Sequence, residues 1–359
     1  MSKSFSAAYS AVSNALFSTI TNDYFSQPEN DEQNYDPELP FSKSTVKNSY
    51  STVAVAVSGG ADSLALAAVA QKAAHKFELK TLAIIIDHQM QDGSDKVAEK
   101  AANQCTTLGF DNVIVEKVLV NKKDGGPEAA ARKQRYAALE KIATENGAFV
   151  VLLGHTLNDQ AETVLLALSR GSGMSALSGM RENNGIFARP FLSITRSDTE
   201  EICKEKGLDF WSDPTNGSLN ADNSSLPLRS QVRNTLLPVM RDVLGKDIEK
   251  QLAKTAELIA QDDDCLQLIA ELDFEDLLIS KPEKNMIRLS AENLSEYPKG
   301  ITARVLKIAL ENVGMDMSRL LNAHILQIYD LIYDFSGQKP LNLPKLKVSR
   351  IGSILVFEK

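Results

Sequence analysis

The sequence predicts an α/β protein, in which a parallel β-sheet covered by helices is followed by a smaller, mainly helical C-terminal part. Four short apolar runs rich in β-branched residues indicate strands, at Val53–Val57, Leu82–Ile86, Val113–Val120 and Phe149–Leu153. Helical runs separate these strands, at Leu64–His75, Asp95–Leu108 and Pro127–Glu145. Because strands that alternate with helices form βαβ units, we expect the sheet to be parallel and buried on both faces.

The segments outside this alternation divide the chain into three predicted parts. Residues 1–50 are expected to form an N-terminal helix within Met1–Asn30 and a polar loop over Thr21–Tyr50. Residues 51–235 form the predicted α/β domain, and residues 236–359 form the predicted C-terminal domain.

The C-terminal part carries both helical and strand patterns. Asn234–Leu278 and Gly300–Asp334 look helical, whereas Pro340–Lys359 alternates apolar and polar residues and predicts a small β-hairpin. A turn-rich stretch, Ser212–Ser230, ends the α/β pattern and is expected to link the two domains.

Composition argues against several classes of protein. The 359 residues are 43% hydrophobic and 24% charged, which is ordinary for a globular protein of two domains. No apolar run approaches the length of a membrane span and the N terminus lacks the features of a signal peptide, so we expect a cytoplasmic protein without membrane contact. The three cysteines are far apart and the four histidines lack metal-site spacing, which argues against a disulfide framework or a zinc or iron–sulfur site. A net charge of −8 counts against non-specific nucleic-acid binding but leaves a local basic patch open. Arg181, Arg189 and Arg196 are one candidate set for such a patch, although a solvated helix face is the more common explanation.

The most informative motif follows the first predicted strand. Val53–Val57 ends in Ser58-Gly59-Gly60-Ala61-Asp62-Ser63, and an Ala/Leu-rich helical run begins directly afterwards. The two glycines let the backbone approach a ligand closely, and the N–H groups at a helix N terminus favour an anion. Since the Asp62 carboxylate would repel phosphates, its presence indicates a divalent cation between the two.

An ordinary structural explanation of this loop stays open. An Asp or Ser before an Ala-rich helix is also a common N-cap, and Gly-Gly is a common turn. Both the Walker loop pattern and a G-x-G-x-x-G pattern are absent from this part of the sequence, so the loop belongs to neither of those phosphate sites.

Two further polar pairs follow predicted strands. Asp87-His88 comes directly after Leu82–Ile86, and Gly154-His155 comes directly after Phe149–Leu153. Ligands of parallel α/β sheets bind beyond the carboxyl ends of the strands, so both pairs are candidates for nucleotide contact. A solvated loop is the alternative for Asp87-His88.

Acidic side chains at helical spacing extend the candidate site. Asp159 and Glu162 share a helix face and could hold a metal ion or orient an amine. Asn158 or Asp159 as N-cap, with Glu162 in the first turn, is a good structural alternative, and both explanations can hold at once.

Two arginine pairs also lie at helical spacing. Arg229 and Arg233 form one stripe of a predicted helix, which suits either a phosphate or a salt bridge. Arg132 and Arg135 could meet phosphate in the same way, although Arg132 could instead pair with Glu128 on the surface.

Taken together, these motifs resemble the tRNA(Ile)-lysidine synthetase family, a branch of the N-type ATP pyrophosphatases. The S-G-G-x-D-S loop marks only that superfamily, whereas the run Gly154-His155 through Asp159-Gln160-Ala161-Glu162-Thr163 is more specific. Further family motifs follow in the same order, at Arg170–Gly173, Gly179-Met180, Arg189–Leu192, Asp213–Asn216 and Arg233-Asn234. The resemblance covers about Ser51 to Asn234 and extends more loosely to the C terminus. There are three departures: Asn158 stands where the family often has an aspartate, Thr21–Tyr50 looks like an addition, and the C-terminal part is shorter than that of the longest members.

The resemblance implies a Rossmann-like fold and an ATP-dependent ligase. Members of the family modify the wobble cytidine of an isoleucine tRNA with the anticodon CAU, and L-lysine replaces the oxygen at cytosine C2. By analogy, that oxygen attacks the α-phosphate of ATP to give an adenylated base and pyrophosphate, after which the lysine amine displaces AMP. The implied partners are tRNA(Ile), L-lysine, ATP and Mg²⁺, and a homodimer is left open.

The resemblance also implies roles for individual residues. The residues that would cradle the β- and γ-phosphates are Ser58, Gly59, Gly60, Ala61 and Ser63, and Asp62 would bind Mg²⁺. Further contacts to the nucleotide would come from Asp87, His88, Arg132 and His155, and Arg233 would stabilise phosphate charge. Asp159 and Glu162 would hold the lysine ammonium and promote its deprotonation, because the reference pKa of a lysine amine is about 10.4. In this scheme residues 51–235 are the catalytic PP-loop domain and residues 236–359 confer tRNA specificity.

Two other functions stay open at this point. The chain could be an amide-forming synthetase of the same superfamily that acts on a small molecule, or a nucleotide-binding tRNA chaperone without chemistry. The missing C-x-x-C motif argues against a thiolation enzyme, which commonly uses cysteines to carry sulfur or a cluster.

Overall fold

The structure of the chain is a computed structural model. It describes residues 1–26, 51–87, 89, 93–118, 127–212, 225–280, 283, 285–317 and 320–359, with the side chains of 22–26 and 127–130 left aside. The chain divides into two compact units, residues 1–257 and 258–359. The predicted boundary at 235/236 and the roles of the three predicted parts stay predictions. None of the helices in the described ranges has the length and apolarity needed to cross a membrane.

The first unit contains the predicted parallel sheet. Its strands are β1 (Thr52–Ala56), β2 (Lys80–Asp87), β3 (Asn112–Lys117), β4 (Ala148–Leu152), β5 (Asn183–Asn184) and β6 (Phe187–Ala188). The spatial order is β3-β2-β1-β4-β6-β5, and every neighbouring pair is parallel except β5 with β6. The predicted α/β class is therefore confirmed.

The helices of the first unit largely follow the predicted pattern. They are α1 (Lys3–Ser26), α2 (Ala61–Lys76), α3 (Ser94–Leu108), α4 (Pro127–Glu145), α5 (Leu157–Ser169), α6 (Met174–Leu177), α7 (Arg196–Lys206), α8 (Leu228–Gln231) and α9 (Leu237–Leu244). A 3₁₀ turn at Pro190–Ser193 precedes α7, and a π-helical turn at Val232–Leu236 joins α8 to α9. The helix α10 (Ile248–Leu277) contains the boundary between the two units.

Two predicted loops are partly helical. The polar stretch predicted from Thr21 begins as the last turns of α1, which ends at Ser26, and residues 27–50 lie outside the described residues. The predicted linker ends in α8, and residues 213–224 lie outside the description. In both places the polar composition led to the prediction of a loop where part of a helix forms, because polar residues also form exposed helical turns.

The strand β1 at the centre of the sheet is buried on both faces, and its alternate residues pack in different core clusters. Val53 and Val55 of β1 pack in one core cluster with residues of α1, α2, α3 and α7. Ala54 points to the other face, where Leu139 of α4 is part of the core. This double burial explains why β1 consists of an uninterrupted Val/Ala run.

The order of the strands creates one crossing point. The chain runs outward from β1 to β2 and β3 and then returns to place β4 on the other side of β1. The loops that follow β1 and β4 therefore lie next to each other at the carboxyl edge of the sheet, where ligands of such sheets bind.

The second unit contains an antiparallel sheet that is larger than predicted. Its strands are β7 (Met286–Ser290), β8 (Leu341–Leu343), β9 (Leu346–Ile351) and β10 (Ile354–Glu358), in the order β7-β10-β9-β8. The predicted hairpin over Pro340–Lys359 is thus wrong in size, because it holds three strands and pairs with a fourth. β7 is only five residues long, and its pairing with β10 joins distant parts of the chain.

The helices of the second unit are α11 (Ala291–Glu296), α12 (Lys299–Asn312) and α13 (Asn322–Tyr333). The predicted helix over Gly300–Asp334 is therefore two helices. α12 ends near Gly314, whose φ of +83° lies in the left-handed region that favours glycine.

We predict that Gly154→Ala lowers the free energy of unfolding by about 1–3 kcal/mol, the usual size of an overpacking defect. A Cβ on Gly154 would lie 3.0 Å from the Asp62 carbonyl oxygen and 3.1 Å from the Ser63 Cα, so backbone would have to move. Urea unfolding measures the change. Gly173→Ala is the matched control, because nothing lies within 4 Å of its added Cβ. Equal unfolding midpoints for the two variants would contradict the prediction.

Candidate active site

The loop between β1 and α2 is braced by its own serines. The Ser58 N–H donates to Ser63 Oγ at 3.0 Å, and Ser63 Oγ donates to the Gly60 carbonyl at 3.0 Å. Gly59 has a φ of +84°, a conformation that favours glycine. The Trp211 N–H also donates to the Gly59 carbonyl at 2.9 Å, which ties the loop to the segment after α7.

The helix α2 begins without a side-chain cap. Its N-cap residue is Gly60, and no side chain accepts a hydrogen bond from the first turn. The alternative that Asp62 or Ser63 serves as an ordinary N-cap is therefore wrong. The N–H groups of this turn are left for a ligand, as in known anion sites at helix N termini.

Two cavities meet at this loop. The smaller, of about 250 Å³, has apolar walls from Ile84, Ile86, Leu139 and Leu153 and polar ones from Ser58, Arg135 and His155. The larger, of about 600 Å³, is bounded by residues of α5, α7, the 208–212 segment, the α8–α9 region and the start of α10. Gly60 and Asp62 line both cavities, so the loop forms the boundary between them.

The Asp62 carboxylate is held by α7. Its Oδ1 accepts from the Thr199 hydroxyl at 2.6 Å, and its Oδ2 accepts from Arg196 Nη2 at 2.9 Å. Burial raises the pKa of Asp62 above its ordinary value, and the positive charge of Arg196 and the hydroxyl of Thr199 act in the opposite direction. Arg196 thus stabilises a carboxylate that burial would otherwise tend to neutralise.

Sequence reasoning named Arg196 only as part of a general basic set and missed Thr199. A local signal existed, because Thr195 and Asp198 form a capping box that fixes the start of α7. That box predicts a helix beginning at Arg196, but not that the helix packs against Asp62.

Asp159 serves two purposes. Its Oδ2 accepts from the N–H of Thr156 at 2.9 Å, which completes the capping box of α5, and its Oδ1 accepts from Arg233 Nη2 at 3.1 Å. Burial alone would raise the pKa of Asp159, but the Thr156 N–H, Arg196 and Arg233 outweigh it and hold that pKa below its ordinary value. The predicted cap at Asn158 or Asp159 is off by two or three positions, since Thr156 is the N-cap.

Glu162 is a fully buried carboxylate held by two arginines. Arg233 donates to both of its oxygens, from Nε to Oε1 at 2.6 Å and from Nη2 to Oε2 at 3.0 Å. Arg229 Nε donates to Oε2 at 3.0 Å, and the Glu162 side chain has 0% exposure. Of the two alternatives left open for Arg229 and Arg233, the structure contains the salt bridge. Burial alone would lower the pKa of Arg233, but the negative charges of Glu162 and Asp159 outweigh burial and hold that pKa above its ordinary value.

Asn158, one of the departures from the family pattern, has a structural partner. Its Oδ1 accepts from the backbone N–H of Arg196 at 2.9 Å. The side chain therefore joins the start of α5 to the start of α7, and it does so without the charge of the aspartate that the family often carries.

His155 lies in the wall of the smaller cavity. Burial lowers the pKa of its imidazole to about 4, although Asp159 acts in the opposite direction. Its Nδ1 is buried and has no hydrogen-bond partner within the described part of the chain. A neutral ring with an unused nitrogen is suited to contact a polar ligand.

Arg132 and Asp87, two other predicted nucleotide contacts, are not part of the wall of the smaller cavity, although the charge of Arg132 acts on His155. Arg132 lies over the Tyr136 ring, with 5.1 Å from its Cζ to the ring centroid, and Arg135 of the same helix lines the smaller cavity. The buried Asp87 accepts at Oδ1 from the Gln89 N–H and the Ser94 hydroxyl. His88 lies outside the described residues, as do residues 213–216 of the Asp213–Asn216 motif.

Among the described residues, no group of three or more His, Cys, Asp or Glu side chains is arranged to hold a metal ion. Asp62 is the carboxylate within the Ser58–Ser63 loop, and each of its oxygens accepts one hydrogen bond. A carboxylate offers about four lone-pair positions in all, so Asp62 keeps capacity for about two further contacts.

Comparison with known proteins gives a consistent result. Residues 34–240 match the PP-loop domain family. Curated relatives named tRNA(Ile)-lysidine synthase include one from Leifsonia xyli, 40% identical over 85% of this chain and 89% of the relative. Another is from Thermobifida fusca, 39% identical over 85% of this chain and 91% of the relative. A solved U34-tRNA thiolase from Methanococcus maripaludis covers 61% of this chain and 75% of its own, with a TM-score of 0.48 and 18% identity.

We predict that Glu162→Gln lowers the free energy of unfolding by about 3 kcal/mol or more, because removing one partner leaves buried charge uncompensated. Urea unfolding measures the loss. Glu145→Gln is the control, since Glu145 pairs with Lys141 at 3.8 Å on an exposed helix face. That variant is expected to unfold like the native chain, and an equal loss in both would contradict a special role for Glu162.

We predict that His155 makes the fold less stable as pH falls from about 7 to 5. Its pKa in the folded chain, about 4, lies below the reference value of 6.5, so the unfolded chain binds more protons in that window. When the pH falls from about 7 to 5, the free energy of unfolding of His155→Gln should therefore decrease by about 1–2 kcal/mol less than that of the native chain. Identical pH dependence in the native chain and in His155→Gln would exclude this account.

Proposed function

We propose that this chain, which belongs to the tRNA(Ile)-lysidine synthase family, joins L-lysine to the wobble cytidine of an isoleucine tRNA. Family membership makes the chain an enzyme, an ATP-dependent ligase of tRNA modification with a PP-loop domain that uses ATP. The proposal adds the CAU anticodon, bond formation at cytosine C2, and the release of AMP and pyrophosphate.

The meeting of two cavities at Gly60 and Asp62 is the observation that carries the proposal. A nucleotide whose adenosine occupies the smaller cavity would reach the boundary with its phosphates. A second substrate in the larger cavity would then face the α-phosphate from the other side. An adenylating enzyme needs this arrangement, because the attacking oxygen and the leaving pyrophosphate must lie on opposite sides of that phosphate.

The smaller cavity suits an adenosine. Apolar side chains such as Ile84 and Leu139 supply flat contact area, and the neutral His155 supplies a polar contact without adding charge. Beyond it, the N–H groups of the first turn of α2 would receive the β- and γ-phosphates. Ser58 and Ser63 hold that turn in shape, and Ser58 Oγ lies 3.1 Å from Ser63 Oγ.

Magnesium fits this site through Asp62. Mg²⁺ in nucleotide sites is usually held by one or two carboxylates together with waters and substrate phosphates, so the Asp62 carboxylate alone can supply the protein ligand. When bound, the ion would neutralise phosphate charge during departure of pyrophosphate. Arg233 is held 3.1 Å from Asp159 and would add a fixed positive charge on the same side.

The larger cavity is proposed to receive the cytosine and the lysine amine. The target base is unpaired in an anticodon loop, so it can enter a pocket without opening a duplex. Adenylation turns the cytosine oxygen into part of a good leaving group, and attack of the amine at C2 then expels AMP.

Asp159 and Glu162 are proposed to contribute to the second step in different ways. Only a neutral amine attacks, so the lysine ammonium must lose a proton to a nearby base. Asp159 has 13% of its side chain exposed, whereas Glu162 has 0% and is saturated by arginines. We therefore assign contact with the ammonium to Asp159, and to Glu162 the positioning of Arg229 and Arg233.

The test supplies ATP, Mg²⁺, labelled L-lysine and the isoleucine tRNA with the anticodon CAU. We predict label in the tRNA, with one AMP and one pyrophosphate formed for each lysine. A methionine tRNA with the same anticodon should stay unlabelled. Asp62→Asn should reduce the rate by about a hundredfold or more, the scale of losing one key electrostatic group. Asp95→Asn, the same change on an exposed turn of α3, should keep the native rate.

The same experiment distinguishes the other two functions. Pyrophosphate release without tRNA and without label would favour a synthetase that acts on a small molecule. Binding of tRNA and ATP without any turnover would favour a chaperone. Either result contradicts the proposed ligation.

A further inference from the structure

We propose that Arg196 is a positioning residue that occupies, before ATP binds, the place that the divalent cation later takes beside Asp62. The inference deepens the proposed function, because it rests on Asp62 as the metal-binding carboxylate of the ATP site. It adds Arg196, to which the proposed function assigns no part.

The position of the guanidinium is the first argument. Arg196 Nη2 lies 2.9 Å from Asp62 Oδ2 and 3.9 Å from Asp159 Oδ1. One cationic group therefore lies between two carboxylates, in the kind of position where a metal cation would also lie. The side chain is 29% exposed and lines the larger cavity, so an incoming ligand can reach it.

The backbone of Arg196 is fixed independently of this ion pair. Its N–H donates to Asn158 Oδ1 at 2.9 Å, and the capping box of Thr195 and Asp198 sets the first turn of α7. The guanidinium can consequently leave Asp62 through side-chain rotations alone, without unwinding α7.

The Thr199 hydroxyl keeps a hydrogen-bond acceptor when Asp62 turns to the metal ion. Its single proton has two acceptors, Asp62 Oδ1 at 2.6 Å and the Arg196 carbonyl at 2.8 Å. If Asp62 turns to a metal ion, the hydroxyl of this fully buried residue still donates to the carbonyl. The exchange therefore leaves no buried donor unsatisfied, which would otherwise cost free energy.

Asp159 is the acceptor for the displaced guanidinium. A divalent cation and the guanidinium cannot share Asp62 Oδ2, because their like charges repel. Asp159 Oδ1 already lies within 3.9 Å of Arg196 Nη2, and a carboxylate oxygen can accept a second hydrogen bond beside the one from Arg233. Arg196 thus moves a short way from one carboxylate to the other when the nucleotide and its cation enter.

The test measures Mn²⁺ binding to the full chain without nucleotide, from the EPR signal of the free ion. We predict that the native chain and Asp62→Asn bind Mn²⁺ equally weakly, since Arg196 already occupies the position. Arg196→Gln should bind about tenfold more tightly, a change equal to about 1.4 kcal/mol. The double variant Asp62→Asn with Arg196→Gln should lose that gain, and Arg196→Lys, which keeps the positive charge, should bind like the native chain.

Two results would overturn the inference. One is an Arg196→Gln chain that folds, with a native circular-dichroism spectrum, but gains no Mn²⁺ affinity. The other is a gain that persists in the double variant, because the ion would then bind somewhere other than at Asp62. The measurement uses neither tRNA nor lysine, so its outcome is independent of whether the chain ligates lysine.

Discussion

The site depends on the burial of one negative charge. Glu162 has no exposed surface, and an isolated carboxylate in such a place would be very unfavourable. Two guanidiniums compensate it, and both come from the α8–π-turn segment, so that segment must pack against α5 for the charge to be tolerated. A buried salt bridge of this kind adds little net stability compared with an apolar replacement, but removal of one partner alone is strongly destabilising.

From Glu162 the charges alternate in sign through the site. Arg233 contacts Asp159 at 3.1 Å, and Arg196 lies 3.9 Å from Asp159 and 2.9 Å from Asp62. The series joins four parts of the chain: the π turn, α5, α7 and α2. Because each arginine has an acidic partner on either side, a triphosphate and its cation can re-pair these groups instead of adding unbalanced charge. A site built in this way suits the proposed reaction, in which negative charge builds up and leaves with pyrophosphate.

The parallel sheet explains why these groups can meet at all. After β3 the chain returns past β1 and forms β4. The loop after β4 therefore lies against the first turn of α2. The approach is so close that Gly154 leaves no room for a Cβ, and the same junction sets His155 in the wall of the smaller cavity. Fold and site thus share a requirement, namely backbone contact between two segments that lie about ninety residues apart in the sequence.

The sequence by itself determined the α/β class, the strands β1 to β4 and the turn between β1 and α2, because these depend on local patterns: apolar runs, helical spacing and glycines at a turn. It also selected Asp62, Asp159, Glu162 and Arg233, which the structure brings together. Only the tertiary structure decided their partners. Arg196 and Thr199 reach Asp62 from α7, more than 130 positions away in the sequence. Nothing local in the sequence shows which helix faces pack together. The pairing of β7 with β10 could not be predicted for the same reason, because the two strands are far apart in the sequence. A local pattern specifies which chemical groups the chain presents, whereas long-range packing specifies which of these groups pair with one another in the buried site.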